Sequence, residues 1–259
     1  MEAAHDRSQI FDLHTHALPG VDDGPTSSCQ TLDMLGTSFA QGVVCTAMTP
    51  HCIIHEERDV EQFLERRQNA TARILRKMKG RQINSSLLVG AEVFADHDVS
   101  RRPGIESLCY EAVSDDSGAA LGISPEITRK CMLMELPMRR EAAYLPECIY
   151  NLNSKGIRVI LAHVERYANL EGILHDTKSL DVYYQLNSSS ILGLFGKKLL
   201  DRMLRRSGRV IISSDMHDLS LRPCDLGPCF DKIRCKFGRG IAEEVMCNSA
   251  KKALGIKEL

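Results

Sequence analysis

Two histidines separated by one residue follow the first apolar run of the chain. Residues 10–13 are apolar enough for a short buried strand, and His14 and His16 come next. Because alternate side chains of an extended strand point the same way, the two imidazoles can converge on one point. A His-x-His pair at a strand end commonly holds a transition metal through imidazole nitrogens. The chain then turns, and Asp22 and Asp23 return carboxylates to the same neighbourhood.

Further candidate ligands follow other strand-like runs, each at the corresponding point. They are His51 after the second run, Glu92 after the third, Glu135 after the fourth, His163 after the fifth, and Asp215 with His217 after the seventh. Five of the nine histidines are placed in this way. Polar residues that merely cap strands or helices would not recur at the end of so many strands, so the set indicates a metal site.

Seven short apolar runs, rich in β-branched residues, predict the strands that position these side chains. They are residues 10–13, 43–48, 87–91, 131–134, 158–162, 182–186 and 210–213. Helical patterns lie between or after them at residues 28–42, 59–79, 140–156, 196–208 and 241–254. Alternating strands and helices predict parallel strands with crossover helices. Seven such units favour a barrel, closed or distorted, over an open sheet, with the candidate ligands at the carboxyl ends of the strands.

The length of 259 residues suits one domain, with residues 1–8 as a leader. Residues 95–128 carry two prolines and an Asp-Asp-Ser-Gly stretch, and we expect an irregular excursion over one face there. We predict a single domain over residues 1–259, and the sequence leaves its oligomeric state open.

The composition excludes several function classes. Lys plus Arg is 33 and Asp plus Glu is 34, so no basic field for nucleic acid exists. No apolar run approaches the length of a membrane span, and the charged residues 1–8 do not resemble a signal peptide. Ten cysteines without paired spacing fit free thiols in a reducing cytoplasm. We therefore expect a cytoplasmic protein that is not inserted in a membrane.

Eight or nine nitrogen and oxygen ligands exceed what one ion needs, so two or three ions fit better. The mixture of imidazole and carboxylate without cysteine favours manganese or iron, with zinc also compatible. Ions about 3.5–4 Å apart can activate water and clamp a phosphoryl group. Arg166 lies three residues past His163, and Arg222 lies five past His217. Both are placed to make forked contacts with phosphate.

A competing pattern is His51-Cys52 followed by Arg58, which spells the His-Cys-x5-Arg signature of thiolate-based tyrosine phosphatases. That mechanism needs a phosphate loop of backbone N–H groups and a thiolate of low pKa. The residues between Cys52 and Arg58 are bulky and acidic and include no glycine. We therefore favour the metal site.

The ordered motifs resemble the polymerase-and-histidinol-phosphatase (PHP) superfamily. More closely, the chain resembles the manganese-dependent protein-tyrosine phosphatases of bacterial capsular and exopolysaccharide operons. The motifs are DLHTHALPGVDDG (12–24), TPH (49–51), GAE (90–92), MELP (134–137), AHVER (162–166), QLNSSSILGLFGKK (185–198) and SSDMHDLSLRP (213–223).

The resemblance implies a distorted (β/α)7 barrel with a trinuclear metal cluster. The three ions would be held by His14, His16, Glu92 and Asp215; by Glu92, Glu135 and His163; and by Asp23, His51 and His217. Arg166 and Arg222 would bind phosphate. The implied substrate is the phosphotyrosine-rich tail of a membrane-associated bacterial tyrosine kinase that controls polysaccharide export. The alternatives are a small-molecule phosphatase such as histidinol phosphatase and a non-catalytic metal-binding module.

Overall fold

A computed structural model describes residues 9–78, 85–113, 126–138 and 142–256. Within these ranges the strands are β1 (Ile10–Thr15), β2 (Val43–Met48), β3 (His51–Ile53), β4 (Ser86–Val89), β5 (Glu92–Phe94), β6 (Glu111–Ala112), β7 (Lys130–Glu135), β8 (Ile157–Leu161), β9 (Val182–Asn187) and β10 (Val210–Ser213). The helices are α1 (Ser28–Ala40), α2 (Glu57–Met78), α3 (Leu145–Ser154), α4 (Leu170–Thr177), α5 (Ser188–Leu192), α6 (Gly196–Arg206), α7 (Leu226–Phe237), α8 (Arg239–Glu243) and α9 (Ser249–Leu254).

The strands pair in two sheets. One has the order β1-β2-β4-β6, and the other has the order β10-β9-β8-β7-β5-β3. Every pairing is parallel except that of β4 with β6. Parallel strands joined by helices make this a mixed α/β fold, as the alternation in the sequence predicted.

The two sheets meet at both sides of the site. On one side the chain itself passes from β2 to β3 and from β4 to β5, and the bonds from Gly90 N to Met48 O and from Glu92 N to Pro50 O, both 3.0 Å, continue the pairing across these breaks. After β10, a bridge joins Thr15 to Met216. The strand pairing of the described residues gives two sheets and not one closed barrel, so the (β/α)7 barrel remains an interpretation of how the sheets join.

Two groups of buried apolar side chains fill the interior. The larger group packs strands against helices; on α2 it includes Val60, Phe63 and Ile74, which lie on one helix face. The second group takes alternate residues from the seven longer strands, such as Phe11 and Leu13 on β1, and ends against α9. Alternation in the strands thus places one face toward helices and the other toward a separate inner core.

All seven predicted strands are present, and the structure adds the short strands β3, β5 and β6. Three helices were not predicted, namely α4, α5 and α7. Within the predicted excursion, residues 95–113 contain one 3₁₀ turn (Ile105–Leu108) and β6. Outside the described residues lie the leader 1–8, residue 79 of the predicted second helix, residues 114–125 of the excursion, and residues 140 and 141 of the predicted third helix. In the part of the chain that the structure describes, no helix is long and apolar enough to cross a membrane.

Candidate metal centre

The nine predicted metal ligands lie at or just beyond the carboxyl ends of β1, β2, β4, β7, β8 and β10. His14 is the last residue but one of β1, and His16 and Asp23 are in the segment that follows β1. His51 begins β3, Glu92 begins β5, and Glu135 ends β7. His163 comes after β8, and Asp215 and His217 come after β10. The structure brings all nine side chains together in one cluster.

The first group of ligand atoms is centred on the His-x-His pair. His14 Nε2 and His16 Nε2 face each other at 3.2 Å. Glu92 Oε2 lies 3.3 Å from the first and 3.2 Å from the second. Asp215 Oδ1 lies 3.5 Å and 3.4 Å from the same two atoms. Ligand atoms about 2.1 Å from one ion are roughly 3.0–3.4 Å apart. The facing atoms of His14, His16 and Glu92 have this spacing, and Asp215 lies beside the two imidazoles at slightly longer distances.

Glu92 faces a second group with its other oxygen. Glu92 Oε1 is 2.9 Å from His163 Nε2, and Glu135 Oε1 is 3.4 Å from that same nitrogen. A carboxylate with one oxygen toward each group has the arrangement of a bridging ligand. The bridging role that the resemblance implied for Glu92 is compatible with this geometry.

Asp23, His51 and His217 form the third group. Asp23 Oδ1 lies 3.3 Å from His217 Nε2 and 3.7 Å from His51 Nε2. His51 also faces the other two groups, because its Nδ1 is 2.9 Å from Glu92 Oε2, the oxygen of the first group, and 3.9 Å from Glu135 Oε2 of the second. His51 therefore lies close to all three groups, which its sequence position did not predict.

Three of the histidines have a hydrogen-bond acceptor behind the ring. Nδ1 of His16 is 2.6 Å from Asp22 Oδ2, Nδ1 of His14 is 3.1 Å from Gln185 Oε1, and Nδ1 of His217 is 2.9 Å from the Asp215 carbonyl. An Nδ1–H that donates to such an acceptor leaves the Nε2 lone pair facing inward. Outer hydrogen bonds of this kind are typical of metal-ligating histidines.

The electrostatics of the centre favour a cation. Burial opposes protonation of His14, but Glu92 and Asp215 outweigh it and raise the pKa of that imidazole to about 9. Burial likewise works against the charge on Glu92 and Asp215, yet the surrounding imidazoles hold both pKa values below the usual range. Burial and the neighbouring His16 lower the pKa of His217 to about 4. The carboxylates thus create a negative potential, and ligating nitrogens would exchange protons for metal.

Two buried ligand atoms support this interpretation. Glu92 Oε2 and His217 Nε2 have close neighbours but no well-oriented hydrogen bond within the described residues. A buried polar atom without such a bond is costly. Both atoms face the cluster, where a cation would satisfy them. The donor set is rich in imidazole and carboxylate and is largely buried except at Asp23 and His51, so it fits divalent metal ions.

Two candidate ligands have a strained backbone. His163 has φ of 30° and Asp215 has φ of 54°, and no other non-glycine residue among those described has positive φ. Gln185 Oε1 accepts from His163 N at 2.6 Å, and His14 O accepts from Asp215 N at 2.9 Å. Such conformations persist where surrounding bonds hold them, and they are frequent at functional sites.

Both predicted arginines lie beside Asp215 at the open side of the centre. Arg222 Nη2 is 2.9 Å from Asp215 Oδ2, and Arg166 Nη1 is 3.8 Å from the same oxygen. The side chains are 39% and 41% exposed, so their remaining donors are accessible. Guanidinium groups in this position can bind the oxygens of a phosphoryl group next to the metal ligands.

Sequence comparison identifies the family of the chain. The sequence profile of the family described as capsular polysaccharide synthesis, CpsB/CapC, matches residues 10–255. The chain belongs to the CpsB/CapC family. It is similar to the tyrosine-protein phosphatase CpsB of Streptococcus pneumoniae, with 26% identity over 263 residues, covering 95% of this chain and 98% of that protein. It is also similar to the tyrosine-protein phosphatase YwqE of Bacillus subtilis (strain 168), with 27% identity, covering 82% of this chain and 79% of that protein.

A solved structure shares the fold. It comes from the crystal structures of YwqE from Bacillus subtilis and CpsB from Streptococcus pneumoniae, described as unique metal-dependent tyrosine phosphatases. The TM-score is 0.72 with 21% identity, and the match covers 96% of each chain.

Sequence reasoning missed the residues that orient the ligands. Asp22 was seen only as a neighbouring carboxylate, although it accepts from His16 Nδ1 and from His51 N at 3.1 Å. Gln185 and Asn187 contact ligands from β9; Asn187 Nδ2 donates to Asp215 Oδ2 at 2.8 Å. The available signal was their alternate spacing at the end of a predicted strand, which places both side chains on one face.

Cys52 does not have the surroundings of a catalytic thiolate. It is 2% exposed and belongs to the core of packed apolar side chains. Burial raises the pKa of its thiol to about 12, so the thiol is neutral at physiological pH. Arg58, the other end of the His-Cys-x5-Arg pattern, is exposed and pairs with Glu56 at 2.8 Å. The thiolate hypothesis is therefore not supported by the geometry.

Proposed function

We propose that this CpsB/CapC family chain is a metal-dependent protein-tyrosine phosphatase, and that its nine predicted ligands hold two or three ions. The observation that carries the proposal is the convergence of imidazole and carboxylate atoms from separate strands beside two exposed guanidinium groups. The relatives CpsB and YwqE are named tyrosine-protein phosphatases. The reaction is the hydrolysis of a phosphomonoester.

The roles of the residues follow from their chemistry. When bound, divalent ions would activate water and neutralise charge on the phosphoryl group. Arg166 and Arg222 bind and orient the phosphoryl oxygens with forked N–H donors. Water oxygen loses a proton to solvent and forms the new bond to phosphorus, the bond to the phenolic oxygen breaks, and the leaving phenolate takes a proton from solvent. A tyrosine leaving group has a pKa near 10, so it departs without a strong acid.

The proposed metal is manganese, with iron or zinc as alternatives, because the ligands combine imidazole with carboxylate and include no thiolate. The proposed substrate is the phosphotyrosine tail of a bacterial tyrosine kinase, in the cytoplasm, within capsule or exopolysaccharide synthesis. The family assignment to capsular polysaccharide synthesis supports this setting.

We further propose that the chain is a single PHP-type domain in which the two sheets join as a distorted (β/α)7 barrel. The inner apolar core, with side chains from all seven longer strands, supports this interpretation. The bonds between Asp215 N and His14 O and between His16 N and Met216 O support it at the carboxyl end.

The test measures hydrolysis of a phosphotyrosine peptide by the purified full chain after manganese loading. We expect turnover with Mn²⁺ and none after chelation. His14→Ala should lower kcat/KM by about 10³-fold or more, because a lost ligand disrupts both water activation and the phosphoryl clamp. His175→Ala is the matched control, since His175 is exposed on α4 and pairs with Asp176.

Three outcomes would contradict the proposal. Equal activity of His14→Ala and the wild type would contradict the metal-dependent mechanism. Faster turnover of histidinol phosphate than of the peptide would indicate a small-molecule phosphatase. Failure to hydrolyse either substrate or p-nitrophenyl phosphate with any divalent metal would indicate a binding module.

A further inference from the structure

A cavity opens directly beside the third group of candidate ligands. Its volume is about 290 Å³, and its lining includes Asp23 and His217 from that group. The other side is formed by the start of α1 and by the loop after β10, with Pro25, Met34 and Leu219 as its apolar walls and Thr26 at its rim. The cavity is therefore continuous with the candidate metal centre and has a different surface chemistry.

The wall nearest α1 is held in place by local bonds. Ser27 accepts from Gln30 N, and Gln30 Oε1 accepts from Ser27 N at 3.1 Å, which is a capping box at the start of the helix. Gly24 lies against the backbone, since a Cβ there would be 1.9 Å from His16 O. Only glycine can lie this close to the His16 carbonyl, and this contact fixes the positions of the neighbouring residues Asp23 and Pro25.

The opposite wall is a tight loop closed by Asp218. Its Oδ1 accepts from the backbone N–H of Ser220 at 2.5 Å and of Leu221 at 2.6 Å. His217 N donates to Arg222 O at 2.9 Å, which closes the base of the loop. This loop turns Leu219 toward the cavity and Leu221 away: Leu219 is 47% exposed and lines the cavity, whereas Leu221 is 88% exposed and does not.

The dimensions and lining indicate what enters the cavity. Pockets for drug-sized ligands measure roughly 300–1,000 Å³, so this cavity is at the small end and suits one ring. Leu219, which is 47% exposed, supplies apolar surface that can contact an aromatic face, and the buried Met34 lies behind the wall. Because Asp23 and His217 line both the cavity and the metal centre, the group that enters is the one bonded directly to the phosphoryl group.

We propose that this cavity is the subsite for the phenyl ring of the phosphotyrosine substrate, and that Leu219 is a specificity-determining residue for aryl over alkyl phosphates. The inference rests on the proposed phosphatase function and adds to it the site that recognises the leaving group. The ring enters between Leu219 and Pro25, while Arg166 and Arg222 bind the phosphoryl oxygens from the side of Asp215.

The experiment compares Leu219→Ser with Leu221→Ser in the full manganese-loaded chain. For Leu219→Ser we expect kcat/KM for a phosphotyrosine peptide to fall about tenfold, with turnover of a small alkyl phosphate unchanged within twofold. Leu221→Ser is the matched control in the same loop and should change neither. Both positions are partly or largely exposed, so both variants should fold.

A binding measurement tests the same point without turnover. The wild type should bind benzylphosphonate, in which a CH₂ group replaces the ester oxygen, more tightly than methylphosphonate. In Leu219→Ser that preference should fall about tenfold by calorimetry, and in Leu221→Ser it should persist.

The two proposals fail in different ways. The ring subsite alone would be overturned if the wild type hydrolyses the peptide and Leu219→Ser shows either no loss or equal losses for aryl and alkyl substrates. A wild type inactive on every phosphomonoester would overturn the proposed function.

Discussion

Asp22 illustrates how one residue behind a ligand determines what the ligand can do. Both of its oxygens accept hydrogen bonds: Oδ2 from His16 Nδ1 and His51 N, and Oδ1 from Gly24 N at 3.1 Å. Burial works against its charge, but its bonds with His16 keep the pKa of the carboxyl below its usual value. The carboxylate thereby fixes the His16 tautomer and holds the chain that carries Asp23.

We expect Asp22→Asn to weaken metal binding by about 10- to 100-fold. An amide presents one NH₂ group, which must face an N–H donor in either orientation. One bond is lost if the NH₂ group replaces Oδ1, and two are lost if it replaces Oδ2. Metal affinity measured by calorimetry checks this. Asp33→Asn, an exposed position on α1, is the control and should leave affinity unchanged. Equal affinity in Asp22→Asn would mean that His16 does not depend on its outer acceptor.

The residue types that ligate were predictable from the sequence, but their orienting partners were not. His14 and His163 follow predicted strands, so parallel geometry alone places them at one edge. Gln185 bonds to both of these residues. This contact depends on the register of β9 beside β8 and on the left-handed backbone of His163. Neither feature has a local sequence signal.

At the scale of elements, the strand–helix alternation was predictable because each buried strand is a compact apolar run. The breaks between β2 and β3 and between β4 and β5 were not predicted. The extended chain is interrupted at Thr49-Pro50 after β2 and at Gly90-Ala91 after β4, and each time it continues as a strand of the other sheet. The breaks matter for the site, because His51 and Glu92 begin the resumed strands and pair with each other in register.

The loop after β10 is the element that positions Arg222, and Asp218 holds its shape. We expect Asp218→Ala to raise KM for phosphomonoesters about 5- to 20-fold with a smaller change in kcat. The acceptor of several backbone N–H groups is lost, and the guanidinium is less well ordered for binding phosphate. Steady-state kinetics check this. Asp201→Ala on α6, where the carboxylate pairs with Arg205, is the control. Unchanged KM would show that Arg222 is held by Asp215 alone.

At the scale of the whole molecule, the candidate ligands come from both sheets. His14 is on β1 in one sheet, whereas Glu92 and Glu135 are on β5 and β7 in the other. An ion held by ligands from both sheets links the two sheets. In an unfolded chain these ligands are not held together, so the ion binds the native state preferentially. A ligand that binds only the native state stabilises it by an amount that rises with the logarithm of the free ligand concentration relative to Kd.

We therefore expect metal loading to raise the melting temperature. At a free ion concentration about 100 times Kd, the stabilisation is about 2.7 kcal/mol, which for a chain of this size corresponds to an increase of about 5–10 °C. Differential scanning calorimetry of chelated and manganese-loaded protein measures the shift. His14→Ala should lose most of it, because His14 and Glu92 belong to different sheets and share the first ligand group. His175→Ala should retain it. Equal melting temperatures with and without metal would mean that the ligands do not join the two sheets through an ion.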